Sequence, residues 1–149
     1  MLSLFLPRGI RNNNPGNIRL AKTPWQGQSP EPGDADFIVF TAPLYGLRAL
    51  MKTLLTYYLK YNLDTVESLI NRYAPPHENA TDNYIHAVSR ALQVKRTEKI
   101  DVASRPVLVA LARAIVLREN GAPPPDRPAG WYDPLLYDQA ASLVLPLPA

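Results

Sequence analysis

Glu119 ends the most strongly helical stretch of the chain, Ser104 to Arg118. Helical spacing places Glu119 on the same face as Leu108, Ala112 and Ile115, so a carboxyl group completes an otherwise apolar stripe. A carboxyl held against apolar groups is costly to ionise and remains a proton donor near neutral pH, as the general acid of a glycosidase must. We therefore predict that Glu119 is a general acid. The alternative is an exposed glutamate on the last turn of a helix.

A second carboxyl, Glu78, is the rival candidate for the general acid. It lies in Pro75-Pro-His-Glu-Asn79, a proline-stiffened loop between two predicted helices, where a side chain can be held rigidly in a groove. Alternatively, Glu78 and Asn79 brace the next helix. Glycoside hydrolysis needs a second carboxyl ~5 Å away for retention or ~6.5 to 9.5 Å away for inversion, and Glu78, Asp34 and Asp36 are the candidates. None of the three has a convincing setting, which favours a reaction that needs only one carboxyl.

The segment Arg8-Gly-Ile-Arg-Asn-Asn-Asn-Pro-Gly-Asn-Ile-Arg19 predicts a tight loop rich in amide groups. Asn13, Asn14 and Asn17 have side chains suited to the N-acetyl and hydroxyl groups of a sugar, and we predict that they orient substrate. The alternative is a structural loop in which the asparagines satisfy buried backbone groups.

Several aromatic residues are candidates for stacking on a sugar ring, although most are expected in the core. They are Trp25, Tyr45, Tyr73, Tyr84 and Trp131. Tyr73 and Tyr84 flank the Glu78 loop, and either is expected to steady the charge of an oxocarbenium ion. We also predict that Trp25 contacts the substrate.

The elements that must position these residues are mostly helices. Apolar periodicity and start or stop residues predict them at Pro43 to Tyr61, Asp64 to Tyr73, Thr81 to Leu92, after Ser104, and from Asp133-Pro134 to Leu143. An Asp64-Thr-Val-Glu67 capping box is expected to open the second of these. Residues 8 to 40 predict a small loop-rich or β lobe with one extended stretch, Asp36 to Thr41, that could form a small hairpin. The sequence therefore predicts one mainly α domain (α+β) over residues 1 to 149.

The composition excludes several classes of chemistry. The chain has 149 residues, a net charge of +3 and no cysteine, so disulfides, thiolate metal sites and a cysteine nucleophile are impossible. His77 and His86 do not form a ligand cluster, and neither a metal nor a cofactor is expected. The sequence has no run of lysine and arginine residues of the kind that indicates nucleic acid binding. That alternative function rests on the mild positive charge alone. No secretory signal or membrane-spanning stretch is recognised, so we expect a chain made in the cytoplasm without membrane insertion.

The asparagine loop, with Trp25-Gln-Gly27, Phe37-Ile-Val-Phe40 and Tyr45-Gly-Leu-Arg-Ala-Leu50, resembles a family of small phage and prophage proteins. That family is related to lysozyme-like glycan-cleaving enzymes, and its members are often described only as virion structural proteins. The resemblance covers residues 8 to 121. It implies a lysozyme-like fold and cleavage of peptidoglycan.

The chain is also similar to flagellar-type glucosaminidases. These carry a helix ending in a catalytic Glu, an Asn-Asn-x-x-Gly-Ile loop, an aromatic strand and a Tyr-Ala-Thr-Asp-x-x-Tyr stretch. Here the loop is Asn13 to Ile18, the strand is Phe37 to Phe40, and Tyr73-Ala74 precedes Thr81-Asp82-Asn83-Tyr84. The glutamate helix comes last, as in a circular permutation.

Together these features predict a phage-type enzyme, either a lytic transglycosylase or a muramidase, that cleaves between N-acetylmuramic acid and N-acetylglucosamine. The enzyme is expected to be a monomer that reaches the wall through a holin-type pore or as part of the virion. The alternative is a catalytically silent virion component that binds peptidoglycan or another virion protein.

Overall fold

The computed structural model describes residues 6–31, 33–76 and 80–148. Over these ranges the chain forms six α-helices and only isolated β-bridges. The helices are α1 (Arg8–Arg11), α2 (Pro43–Tyr61), α3 (Val66–Tyr73), α4 (Thr81–Leu92), α5 (Arg105–Asn120) and α6 (Pro134–Val144). The mainly α prediction is confirmed, and the five longer helices lie where periodicity predicted them.

The larger core forms around α2, which packs against α3, α5 and α6. Leu47, Leu50 and Leu54 recur at helical spacing on its inner face and are fully buried. Pro43 suits the first turn because its missing N–H would have no partner there. The helix ends at Asn62, whose left-handed φ of 56° turns the chain away.

The capping box of α3 is shifted by one residue from the predicted one. Thr65 and Ser68 exchange the two capping hydrogen bonds, so the prediction of Asp64 and Glu67 was wrong. Glu67 instead accepts a hydrogen bond from Arg96, at 2.5 Å. The cause is that α3 begins at Val66, which places Thr65 at the N-cap and Ser68 three residues further on.

Helix α5 carries the predicted apolar stripe. Leu108, Ala112 and Ile115 are fully buried between α5 and its neighbours, and Glu119 follows on the same face in the last turn. Gly121, at a φ of 76°, ends the helix in a conformation that favours glycine. The stripe therefore continues from the core directly to a carboxyl group.

The N-terminal lobe is organised by the predicted extended stretch, although it forms no regular strand. Ile38 and Leu20 donate backbone hydrogen bonds to Ile18 and Asp36, and Ser29 donates one to Val39 on the other side. Its short helix α1 was not predicted, because four residues carry too little periodicity to indicate a helix. This lobe has its own small core, formed by Ile38, Phe40 and Ala49, with Ile18, Trp25 and Tyr45 packed against it.

Within the described ranges, no helix combines the length and the hydropathy that a membrane-spanning helix requires.

Candidate functional site

Glu119 lies at a junction of the last turn of α5, the asparagine loop and α4. Its side chain is only partly exposed. Asn17 Nδ2 donates a hydrogen bond to Glu119 Oε1 at 2.9 Å. The Tyr84 hydroxyl donates to Oε2, also at 2.9 Å. Each carboxyl oxygen is thus held by one neutral donor from a different part of the chain.

Asn17 lies at this junction because the loop backbone adopts an unusual conformation there. Asn17 has a φ of 51°, in the left-handed region that asparagine tolerates better than most residues. Its N–H donates to the Asn14 carbonyl at 2.9 Å, which closes the turn Asn14-Pro-Gly-Asn17. The backbone of the turn therefore sets the direction in which the Asn17 amide points.

Asn120 ties this turn to the end of α5. Its Nδ2 donates to the Pro15 carbonyl at 2.8 Å and to the Val116 carbonyl at 2.9 Å, and the residue is only 9% exposed. Sequence reasoning did not single out Asn120. The available signal was a polar side chain directly after a candidate acid at the end of an apolar helix.

Gly9 allows the loop and helix to approach closely. A Cβ atom at this position would lie 2.6 Å from Asn120 Oδ1, 2.8 Å from Asn17 Oδ1 and 2.9 Å from the Asn14 carbonyl oxygen. These separations are shorter than any ordinary carbon–oxygen contact. Only glycine fits here, and both amide oxygens face its α-carbon.

Tyr84 and Tyr73 enclose the junction from the other side. Tyr84, on α4, is 3% exposed, and burial together with the nearby Glu119 carboxylate raises its pKa far above the usual 10. Tyr73, the last residue of α3, donates its hydroxyl hydrogen bond to the Gly16 carbonyl. Burial and Glu119 also raise the pKa of Tyr73. Both phenols therefore remain neutral donors over the physiological pH range.

Asn13 and Asn14 do not share the position of Asn17. Asn14 is fully buried. Its Nδ2 donates hydrogen bonds to the carbonyl groups of Ile18 and Ile38, and its Oδ1 accepts one from the Ile18 N–H. Asn13 donates to the Phe40 carbonyl at 3.0 Å. The alternative of a structural loop therefore fits Asn14, whose amide is occupied by backbone groups and cannot orient a substrate. Asn13 is half-buried and braces the same loop.

Trp25 packs against the small core of the N-terminal lobe, beside Ile38 and Phe40. Its placement fits the core role expected for most of the aromatic residues more closely than a contact with substrate. Trp131 is partly exposed, and its indole N–H donates to the Gly121 carbonyl at 2.8 Å, just beyond α5.

The two candidates for a second acid among the described residues, Asp34 and Asp36, both lie beside Arg8. Asp34 forms a two-pronged ion pair with Arg8, with separations of 2.7 and 2.6 Å, and accepts a hydrogen bond from Asn12. These contacts hold the pKa of Asp34 far below its usual range, so it is not a proton donor. Asp36 is exposed, 3.6 Å from Arg8. Glu78 and His77 lie outside the described residues.

Among the described residues, no group of three or more histidine, aspartate or glutamate side chains is arranged to hold a metal ion. The chemistry that the described site offers is proton transfer at one carboxyl supported by neutral donors.

Comparison with known proteins gives the chain a relative. No protein-family model matches it. It is 37% identical to protein P5 of Pseudoalteromonas phage PM2 over 120 residues, which cover 78% of this chain and 73% of protein P5. The chain belongs to the protein P5 family. Membership of the P5 family agrees with the phage kinship expected from the asparagine loop.

Proposed function

We propose that this P5 relative cleaves the glycan strand of bacterial peptidoglycan between N-acetylmuramic acid and N-acetylglucosamine, with Glu119 as the general acid. The observation that carries the proposal is the setting of Glu119, a partly buried carboxyl at the end of an apolar stripe with one neutral donor on each oxygen. The negative charge of a glutamate is unfavourable at a helix C-terminus because the helix dipole favours cations there, so the placement indicates a use other than stabilising the helix.

In the proposed reaction, protonated Glu119 gives its proton to the glycosidic oxygen as the bond from that oxygen to the anomeric carbon breaks. Glu119 becomes a carboxylate, which Asn17 and Tyr84 stabilise by hydrogen bonding. The 6-hydroxyl of the muramic acid residue then attacks the anomeric carbon and loses its proton to Glu119. The products are a 1,6-anhydro end and a regenerated acid.

We favour this transglycosylase route over hydrolysis because it needs one carboxyl. Asp34 is engaged by Arg8, and Asp36 lies beside the same guanidinium. Hydrolysis remains the alternative with Glu78 as the second carboxyl, and the products distinguish the two reactions.

The proposal includes a lysozyme-like arrangement in permuted order. In flagellar-type glucosaminidases the glutamate helix precedes the asparagine loop, whereas here the loop comes first. A permutation keeps neighbours in space while changing their order along the chain. The contacts of α5 with the loop, through Asn17 and Asn120, support this interpretation.

The second candidate is a catalytically silent virion component that binds peptidoglycan or another virion protein. The internal hydrogen bonds of Asn13 and Asn14 favour it, because these amides serve the loop itself. In either case, we expect delivery to the wall through a holin-type pore or in the virion.

The deciding experiment incubates purified protein with isolated cell walls and identifies the soluble muropeptides by mass spectrometry. Anhydro ends would support the transglycosylase, and reducing ends would support hydrolysis. Sedimentation of the protein with the walls, without release of muropeptides, would support the silent binder and contradict the enzyme.

A further inference from the structure

Beside the Glu119 site, a groove runs between α4 and α5. It consists of two adjoining cavities of about 340 and 220 Å³, which share Ala91, Ala114 and Leu117. Trp131 and Tyr132, from the segment before α6, form one wall of the larger cavity. Four alanines of α4 and α5 line the groove, so an extended chain could approach the helix backbones closely at these positions; they are Ala87, Ala91, Ala110 and Ala114.

The charges around the groove have one sign. Arg113 lines the larger cavity and Arg118 lines the smaller one, and neither is lined by an acidic side chain of the part of the chain that the structure describes. Neither guanidinium forms an ion pair with a carboxylate of the described residues. Arg113 lies 5.3 Å from the centre of the Tyr137 ring, and Arg118 lies 5.4 Å from that of Tyr84. Two guanidinium groups that have no carboxylate partner among the described residues favour an occupant that carries carboxylates.

A buried hydroxyl group on the wall adds a polar feature. The Tyr132 hydroxyl is inaccessible to solvent and has no hydrogen-bond partner among the described residues. Burial raises the pKa of Tyr132, so this phenol is a neutral donor. A buried donor without a partner is unfavourable, so a rotation of the ring that exposed the hydroxyl to a ligand carbonyl or carboxylate in the groove would relieve that cost.

The groove is connected to the Glu119 site through Arg118. Arg118 precedes Glu119 in α5, and its guanidinium is next to the ring whose hydroxyl binds Glu119. A substrate strand positioned for cleavage at Glu119 would thus have its side branches within reach of the groove.

We propose that this groove binds the peptide stem of peptidoglycan, with Arg118 and Arg113 binding its carboxylates. The inference rests on the proposed glycan-cleaving function. A stem peptide combines small alanine methyl groups with the free carboxylates of D-glutamate and diaminopimelate, which suit the alanine-lined floor and the two arginines. Arg118 and Arg113 then determine specificity for stem-bearing strands over neutral amino-sugar polymers.

The test measures binding of an N-acetylated stem tetrapeptide, L-Ala–D-Glu–diaminopimelate–D-Ala, to the full chain. Trp131 fluorescence reports occupancy in a Trp25→Phe background. We expect saturable binding, and we expect the affinity to fall about fivefold in each of Arg118→Ala and Arg113→Ala. A fivefold change corresponds to about 1 kcal/mol, the contribution of one exposed ion pair. Amidation of the peptide carboxylates should weaken binding to a similar or greater extent. Arg90→Ala, an exposed arginine of α4 outside the groove, is the matched control and should bind normally.

Failure of the groove and failure of the proposed function are distinguishable. Absence of binding, equal binding of the amidated peptide, or unchanged binding by both arginine variants would overturn the groove assignment even if walls are cleaved. Peptide binding without wall cleavage would leave the groove supported and count against the enzyme. A concentration-dependent dimer that Leu117→Asp abolishes would assign the groove to a second copy of the chain and overturn the proposal.

Discussion

Asn17 donates a hydrogen bond to Glu119 although the two residues are 102 positions apart in sequence. The bond joins the asparagine loop to the end of α5, and Asn120 adds a second link by donating to the Pro15 carbonyl. The loop and the end of the helix are therefore in direct contact. The catalytic role of the pair stays a prediction.

Replacing Glu119 by glutamine should abolish wall cleavage while the protein stays folded. The amide keeps the shape of the side chain but cannot give up a proton, and loss of a general acid costs about 100-fold or more in rate. Muropeptide release measures the activity, and circular dichroism checks the fold. Glu31→Gln, at an exposed position, is the control. Activity of Glu119→Gln within a few-fold of wild type would refute the assignment, and Glu78→Gln should be compared in the same assay.

Two variants at Asn17 should separate its backbone role from its side-chain role. Asn17→Gly keeps the φ of 51° without strain but removes the donor to Glu119, so we expect kcat to fall at least about tenfold and stability to fall by about 1 kcal/mol for the lost hydrogen bond. Asn17→Ala should lose the same activity and in addition about 1 kcal/mol of folding free energy, because alanine is strained in the left-handed region.

Asn62 is the matched control for these variants. It has a φ of 56° at the end of α2 and no described contact with Glu119. Asn62→Ala should show the strain cost alone, about 1 kcal/mol in urea unfolding, and normal cleavage. Full activity of Asn17→Gly would instead show that the hydrogen bond to Glu119 contributes nothing to the reaction.

The helices were predictable because local chemistry determines them. Prolines at positions 43, 106 and 134 mark helix starts, and the Pro75-Pro76 pair follows α3. The stripe ending in Glu119 could also be inferred from spacing alone, since the inner face of a helix repeats every three to four residues. The N-cap residue of a helix was less predictable, because neighbouring polar residues can all act as a cap. In α3 the cap is Thr65 and not the predicted Asp64.

The partners of polar side chains could not be predicted in the same way. Asn13, Asn14 and Asn17 look equivalent in sequence, yet Asn14 is buried in backbone hydrogen bonds and Asn17 reaches Glu119. Which amide faces the carboxyl depends on how a tight turn packs against a helix a hundred residues later. The importance of Asn120 has the same origin, because its partner Pro15 is 105 positions away.

Gly9→Ala should destabilise the protein and disturb the Glu119 site. The new methyl group would collide with Asn120 Oδ1, Asn17 Oδ1 and a backbone oxygen that cannot rotate away, and overpacking of this kind costs about 1 to 3 kcal/mol. Urea unfolding measures the loss, and cleavage should fall because Asn17 is displaced. Gly33→Ala is the control, since its Cβ would meet only the Val39 side chain at 3.2 Å. A Gly9→Ala protein as stable as wild type would contradict this tight approach.

Finally, the protein should lose stability in alkali through Tyr73 and Tyr84. Their pKa values are raised above the usual 10 in the folded state, so above about pH 10 the unfolded chain releases these protons while the folded chain retains them. Their contribution is therefore fully present below about pH 10 and is lost as pH rises, by up to about 1.4 kcal/mol per pH unit for each tyrosine.

Tyr84→Phe isolates one of these contributions. The variant should be less stable at pH 8 by about 1 kcal/mol, because the hydrogen bond to Glu119 is lost, but its free energy of unfolding should fall less steeply above pH 10. Urea titrations between pH 8 and 11 measure both effects. The difference between the wild-type and variant curves isolates the contribution of Tyr84. Tyr61→Phe, with 41% of the residue exposed, serves as the control. Parallel stability curves for wild type and Tyr84→Phe would show that Tyr84 is not held neutral at the Glu119 site.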